Sequence, residues 1–285
     1  MRVFQATSEP VRAVAFSPDG RHLLAGGGKV GVRVWDTSSN TKPFALKDSS
    51  QALAIRFCPR GMLLAPSGLP TQTREWPGGR RLSGGVASWA FPVSSSSLDF
   101  TAEGHIVYCA GVTLTCWDPF DRELIWVKAT PSERLDQLVC GPEGRIAVVR
   151  GSRRLDHCDA ASGERVASAE LNGTGDVLAM AFSPDGGTLA VAIGFELVLW
   201  DVRSWTERTR IRLPVPCRRL GCRPDGSSLI GFTGGTIRVW EPDLSREIGA
   251  YDFGIQKVHD MTFAPDGLRA AVGCDDGRVV VWDLD

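Results

Sequence analysis

Hydrophobic residues occur along this chain in short runs, and turn-forming residues separate the runs. An apolar run at 177–182 is followed by Pro184-Asp185-Gly186, by a second run at 188–193 and by a third at 197–200. Short runs that are rich in β-branched residues and alternate with a period of two predict β-strands. No segment carries an apolar stripe with the 3.6-residue period of a helix, so we expect almost no helix.

A five-residue signal that ends in glycine separates the first and second strands of each unit. It reads Phe-Ser-Pro-Asp-Gly at 16–20 and 182–186, and Phe-Ala-Pro-Asp-Gly at 263–267. Proline presets φ for a turn, aspartate tolerates the next position, and glycine accepts the left-handed conformation that follows, so each signal predicts a hairpin. Its glycines are spaced by 41, 43, 40, 42, 40 and 41 residues: Gly20, Gly61, Gly104, Gly144, Gly186, Gly226 and Gly267.

A second marker has the same period. About 14 residues after each glycine comes a tryptophan or, once, a cysteine, usually followed by an acid: Trp35, Trp76, Trp117, Cys158, Trp200, Trp240 and Trp282. A more polar fourth strand follows, as at 208–213. Two markers that share a period near 41 indicate a repeat architecture with four strands in each unit.

With these residues the chain resembles the WD-repeat propellers, through Phe-Ser-Pro-Asp-Gly and through Val32-Arg33-Val34-Trp35-Asp36, which is echoed at 237–240 and 279–283. The resemblance covers essentially all 285 residues. It implies an all-β, seven-bladed β-propeller with four-stranded antiparallel blades around a channel. We expect one domain with blades at about 11–47, 52–88, 95–128, 135–170, 177–213, 217–252 and 258–285, the last completed by 1–6.

The expected ring closure follows from the two ends of the sequence. The seventh repeat stops after its third strand, and residues 2–6 form an unattached strand before the first repeat. We expect this strand to be the outer strand of the last blade and to pair with 279–282, which leaves the ring without an open sheet edge. No appended domain or tail is expected.

The chain departs from the family pattern in several blades. Family blades often link a turn aspartate, a histidine and a hydroxyl to the tryptophan. Here Gly254 stands where a histidine is expected, and Val272 stands where the hydroxyl would pair with Asp276. Blades 2 and 4 match least, because Trp76 lacks its acid and Cys158 replaces the tryptophan. We therefore expect no complete network.

Composition gives no sign of a membrane or a strongly charged partner. The net charge is −1, and no apolar stretch approaches the length of a membrane span. We expect a soluble, cytoplasmic protein that is monomeric on its own. The eight cysteines are scattered without a metal or redox spacing, so we interpret them as reduced, small hydrophobic residues.

No motif indicates catalysis, and we expect no enzyme, no catalytic residues, no metal and no cofactor. The sequence His157-Cys158-Asp159 lies on a predicted strand, where adjacent side chains point to opposite faces. A nucleophile elbow, a P-loop and an H-E-x-x-H are all missing. A hydrolase-like or lactonase-like propeller that uses groups around the channel stays open as an alternative.

The resemblance implies a scaffold that binds a protein or peptide on propeller loops or on the rim. The loops between blades, and between second and third strands, carry the candidate contact residues Lys29, Arg134, Arg150, Asp176, Phe195, Arg218, Phe232 and Lys257. Phe232 is the candidate apolar anchor, because aromatic residues dominate binding hot spots. The alternative for Phe232 is a side chain tucked between blades.

One span is strongly basic. Residues 203–223 hold seven arginines and one acid, and Arg208, Arg210 and Arg212 alternate along the predicted outer strand of blade 5. Charges on an edge strand prevent edge-to-edge aggregation. The alternative is a docking stripe for an acidic protein segment or, less favoured, for nucleic acid. Trp89, Trp126 and Trp205, on or near outer strands or their loops, are expected to pack between blades.

Overall fold

The computed structural model describes residues 1–28, 31–39, 42–46, 49, 52–58, 60–66, 72–78, 80, 98–130, 133–151 and 153–284. Within these ranges the regular elements are all strands, as the period-two pattern predicts. In chain order they are β1 (Arg2–Gln5), β2 (Ala13–Phe16), β3 (His22–Gly26), β4 (Arg33–Asp36), β5 (Phe44–Ala45), β6 (Ala52–Cys58), β7 (Gly61–Pro66), β8 (Gln72–Arg74), β9 (Leu98–Phe100), β10 (Ile106–Ala110), β11 (Thr113–Asp118), β12 (Glu123–Ala129), β13 (Leu135–Gly141), β14 (Arg145–Arg150), β15 (Arg154–Asp159), β16 (Arg165–Glu170), β17 (Val177–Phe182), β18 (Thr188–Ile193), β19 (Glu196–Asp201), β20 (Thr206–Arg212), β21 (Cys217–Cys222), β22 (Leu229–Thr233), β23 (Thr236–Trp240), β24 (Glu247–Asp252), β25 (Val258–Phe263), β26 (Arg269–Cys274) and β27 (Arg278–Asp283).

These strands form seven antiparallel sheets, which confirms the predicted fold class, an all-β propeller of seven blades. Blade 1 is β2–β5, blade 2 is β6–β8, blade 3 is β9–β12, blade 4 is β13–β16, blade 5 is β17–β20, blade 6 is β21–β24, and blade 7 is β25–β27 with β1. Neighbouring strands of a sheet are consecutive in sequence, except for β1. The fourth strand predicted for blade 2 falls largely within 81–97, outside the described residues, as does Trp89.

The chain divides into two compact units. Unit 1 is Met1–Phe91 with Ile255–Asp285 and contains blades 7, 1 and 2; unit 2 is Pro92–Gly254 and contains blades 3 to 6. In unit 2, apolar clusters fill the space between blades 3 and 4, between 4 and 5, and between 5 and 6. Blades 4 and 5 are therefore buried on both faces, which explains the long apolar runs of their second and third strands.

The hairpins form as the turn residues predict. In blade 1 the Gly20 amide donates to the Ser17 carbonyl over 2.8 Å, and the Ser17 hydroxyl bonds to Asp19. Blade 5 repeats both bonds with Ser183, Asp185 and Gly186. Gly20 and Gly186 both have φ of +67°, a left-handed conformation that glycine adopts without steric cost.

The predicted closure is confirmed within unit 1. Strand β1 pairs antiparallel with β27, and Val3 lies opposite Val280 while Phe4 lies opposite Val279. Beyond the strand, the Ala6 amide donates to the Gly277 carbonyl over 3.0 Å, and the Phe4 ring lies 5.6 Å from that of Trp35. The first strand of the chain thus completes the sheet built from its last repeat.

Candidate partner-binding surface

One end of unit 2 collects the turns between second and third strands and the segments that enter the first strands. The Gly151 amide donates to the Arg134 carbonyl over 2.8 Å, and the Gly194 amide donates to the Asp176 carbonyl over 3.0 Å. These bonds tie each turn to the segment leading into the same blade. We call this set of turns and segments, at 111–112, 133–134, 150–151, 172–176, 194–195, 213–218 and 234–235, the loop end of unit 2.

Phe195 is the most prominent apolar side chain on the loop end. Gly194 has φ of +51°, and a Cβ there would lie 2.2 Å from the Thr174 carbonyl oxygen, so the chain turns tightly just before the phenylalanine. Phe195, a candidate contact residue, is 49 % exposed. Val112 and Val215 are also exposed on this end, at 43 % and 40 %. In the sequence each of these two valines is only an apolar residue near a turn, a signal too common to mark a binding surface.

The loop end also carries exposed charged side chains. Arg134 is strongly exposed, with its guanidinium 3.7 Å from Asp136, and Arg218 and Asp176 are exposed as well. Such a mixture of an exposed aromatic residue with arginines is typical of protein-binding surfaces.

Although residue 150 lies on the loop end, the Arg150 side chain is not available to a partner there, contrary to the sequence-based prediction. Its side chain is only 11 % exposed and pairs with Glu133 and with Asp156, each over 2.8 Å. The Ser168 hydroxyl donates to the same aspartate over 2.6 Å. Because Asp156 is buried, its charge requires this partner, and Arg150 is a structural residue of blade 4.

Phe232 is not an exposed anchor. It lies in β22, between β21 and β23, opposite Arg219 and Ile237, and is 3 % exposed. A side chain that is 3 % exposed within a central strand has no route to a partner, so Phe232 matches the alternative of a side chain tucked away from solvent. Of the other candidates, Lys29 lies outside the described residues. Lys257 is in unit 1, exposed, with its ammonium 3.7 Å from Asp275.

The three arginines of β20 do not form an uninterrupted stripe. The register of β19 and β20 shifts at Leu199/Trp200, so Arg208 has no opposite residue and Glu207 lies opposite Trp200. Arg210 contacts Glu207 at 2.7 Å and Glu196 at 2.6 Å, and these carboxylates neutralise it. Arg208 and Arg212 are exposed. An alternating sequence pattern does not reveal the bulge or these ion pairs. With both, β20 has the features of a protected edge strand.

Burial shifts the pKa values of two histidines and of several cysteines. His157 stacks on Trp205 with ring centroids 4.9 Å apart, and burial lowers its pKa. His259 bonds to Asp275 over 2.6 Å, and burial lowers its pKa too. The eight cysteines are free, and burial raises the pKa of Cys158 and Cys222 to about 12, so both are thiols at neutral pH.

Two absences apply to the described part of the chain. No group of three or more His, Cys, Asp or Glu side chains there is arranged to hold a metal ion. Nor does that part contain a helix with the length and apolar character needed to cross a bilayer.

Comparison with known proteins adds one finding. The family model described as WD domain, G-beta repeat, matches residues 1–36 and 252–283. The two matched segments hold β1–β4 and β25–β27, and they meet in the pairing of β1 with β27. No curated protein matches the chain.

Proposed function

Because this chain is a WD-repeat β-propeller protein, we propose that it is a non-catalytic scaffold that holds a protein or peptide partner on the loop end of unit 2. The observation that carries the proposal is the half-exposed Phe195 ring on a loop end that also carries the exposed arginines Arg134 and Arg218. An aromatic residue costs little conformational entropy to fix and buries a large area, so it is a favourable anchor. We place this scaffold in the cytoplasm, where its free cysteines stay reduced.

The test compares two phenylalanines of equal exposure. Phe195 is 49 % exposed on the loop end, and Phe44 is 50 % exposed on β5 of unit 1. We expect Phe195→Ala to weaken partner capture about tenfold or more, and Phe44→Ala to leave it unchanged. Quantitative mass spectrometry of proteins retained by each immobilised variant measures this. Equal retention by wild type and Phe195→Ala would remove the loop end from the proposal.

A further inference from the structure

An arginine bridges adjacent blades at two junctions. Arg269, the first residue of β26, donates from Nη2 to the Gly20 carbonyl of the next hairpin over 3.1 Å. Arg145, the first residue of β14, donates from Nη1 to the Gly186 carbonyl over 2.6 Å. Each arginine also pairs with the acid of its own hairpin, Asp266 or Glu143. The blade 7–1 and blade 4–5 junctions therefore have the same arginine-mediated contact between adjacent hairpins.

A buried phenyl ring accompanies each arginine. Phe16, the last residue of β2, is 6 % exposed and has the Arg269 guanidinium carbon 5.6 Å from its ring centroid. Phe182, the last residue of β17, is 9 % exposed and packs so closely on blade 4 that a Cβ on Gly141 would lie 2.5 Å from its ring. Ring and guanidinium together fill the space between the hairpins.

The blade 5–6 junction has neither group. Its register is the same, because Cys222 lies opposite Leu229 as Phe182 lies opposite Leu189. However, Cys222 occupies the phenylalanine position, and Thr188 occupies the arginine position. A Cβ on Gly226 would meet no described atom within 4 Å beyond its chain neighbours, whereas one on Gly186 would lie 2.4 Å from Arg145.

The two small residues leave a cleft of about 480 Å³, a size within the usual range of ligand sites. Ala190, Leu199 and Leu229 line its apolar part, and all three are at most 2 % exposed. The hairpins of blades 5 and 6 form its mouth.

Polar groups also line the cleft. Ser228 is one of them and is 5 % exposed. Asp185 uses Oδ1 to accept from Ser183 and from the Gly187 amide, while Oδ2 accepts no described hydrogen bond. The Ser183 bond lowers the pKa of Asp185, so this carboxylate is charged at neutral pH.

We propose that this cleft binds a peptide segment in which an arginine and an aromatic residue are neighbours. The aromatic ring takes the place over Cys222 that phenylalanine fills elsewhere, and the guanidinium binds Asp185 and the Gly226 carbonyl. The ligand thus provides the aromatic ring and the guanidinium that Phe16 and Arg269 provide at the blade 7–1 junction. The hairpins lie at the opposite end of the strands from the loop end of unit 2, so the two sites are separate.

The probe is a dye-labelled acetyl-Ala-Phe-Arg-Ala-amide peptide, with acetyl-Ala-Phe-Glu-Ala-amide as its charge-reversed counterpart. Fluorescence anisotropy measures both against wild type and against Thr188→Arg/Cys222→Phe, which rebuilds the filled junction. We expect saturable binding of the Phe-Arg peptide to wild type, and affinity weakened about tenfold or more in the filled variant. The proposal would be overturned if wild type did not bind the Phe-Arg peptide, or if it bound both peptides with equal affinity.

A second pair of variants needs no repacking. Asp185→Asn should weaken the Phe-Arg peptide about threefold or more, because a charge-assisted bond becomes neutral. Asp19→Asn alters the matching turn of blade 1 and should not change binding. Phe195→Ala should bind the peptide like wild type, so failure of the loop-end proposal would be seen separately. Equal affinity of the Asp185 and Asp19 variants would refute the assigned guanidinium site.

Discussion

Blade 7 and blade 4 each take from elsewhere in the chain a part that their own repeat does not supply. Residues 258–283 give blade 7 three strands, and β1 supplies the fourth. Blade 4 has all four strands but carries Cys158 at the tryptophan position. Blade 7 therefore obtains a strand from another part of the chain, and blade 4 obtains side chains from its neighbours; we call these the borrowed strand and the borrowed side chains.

The borrowed side chains of blade 4 come from both of its neighbours. Trp126 of blade 3 shares an apolar cluster with Cys158, and its indole N–H donates to the Ala160 carbonyl over 2.8 Å. Trp205 of blade 5 donates to the Leu155 carbonyl over 2.9 Å. Both indoles are buried and hydrogen-bonded, which confirms the expected packing role. By contrast, the Trp200 indole nitrogen has no partner among the described residues, in line with the incomplete network expected.

The missing strand of blade 7 can be recognised in the sequence, whereas the replacement of the missing indole of blade 4 cannot. A missing strand can be counted, and a spare strand at 2–6 has the right length and spacing to replace it. A missing indole leaves no comparable trace, because the residue that fills its space belongs to another repeat at no fixed offset. Backbone deficits are therefore easier to predict than side-chain deficits.

The largest expected effect is loss of the borrowed strand. Deleting residues 1–7 exposes the edge of β27, whose core is Val279, Val280, Val281 and Trp282, and removes the ring of Phe4 from Trp35. We expect aggregation and a lower melting temperature, because a bare apolar edge pairs with other chains. Light scattering and thermal denaturation measure both.

Val3→Ser is the control for that deletion, since Val3 is 47 % exposed and should tolerate the change. A truncated protein that stays monomeric and melts with the full chain would show that β1 is dispensable.

A double-mutant cycle tests the borrowed indole. Trp126→Ala should lower the free energy of unfolding by about 3–5 kcal/mol, because it leaves a cavity beside Cys158. Cys158→Trp alone should cost about 1–3 kcal/mol through overpacking. Combined, the second change should recover part of the first loss, as urea denaturation would reveal. Strictly additive effects would mean that the two positions do not share one space.

A smaller effect is expected from His157, which stacks on the other borrowed indole. Burial lowers its pKa below the ordinary 6.5, so the folded protein binds fewer protons than the unfolded chain. Its stabilising contribution is complete above that value and is lost as the pH falls from 6.5 through the lowered pKa.

His157→Phe keeps an aromatic ring on Trp205 but does not titrate. We expect the melting temperature of this variant to fall less than that of wild type between about pH 7.5 and 5.5. The slope should not vanish, because His259 also has a lowered pKa. Identical slopes for variant and wild type would place His157 in a solvated environment.

The fold was largely predictable, because the Pro-Asp-Gly turns and the tryptophans mark strand boundaries locally. The strand pairing of 2–5 with 278–281 followed from counting. The surface was less predictable. Phe232 and Phe195 both border turns, and only the sheet register shows that one is buried and the other exposed. The acids that neutralise Arg210 likewise come from a neighbouring strand and from beyond a bulge.

The pairing of β1 with β27 also sets an order of events in folding. During synthesis residues 2–5 emerge well before their partners at 278–281, because Gln5 and its partner Arg278 are 273 positions apart (278 − 5). The other described blades form from contacts close in sequence, whereas blade 7 depends on one of the most distant contacts in the chain. Completion of that sheet therefore requires that β27 has been translated, and a chain truncated before residue 278 would carry β1 without its pairing partner.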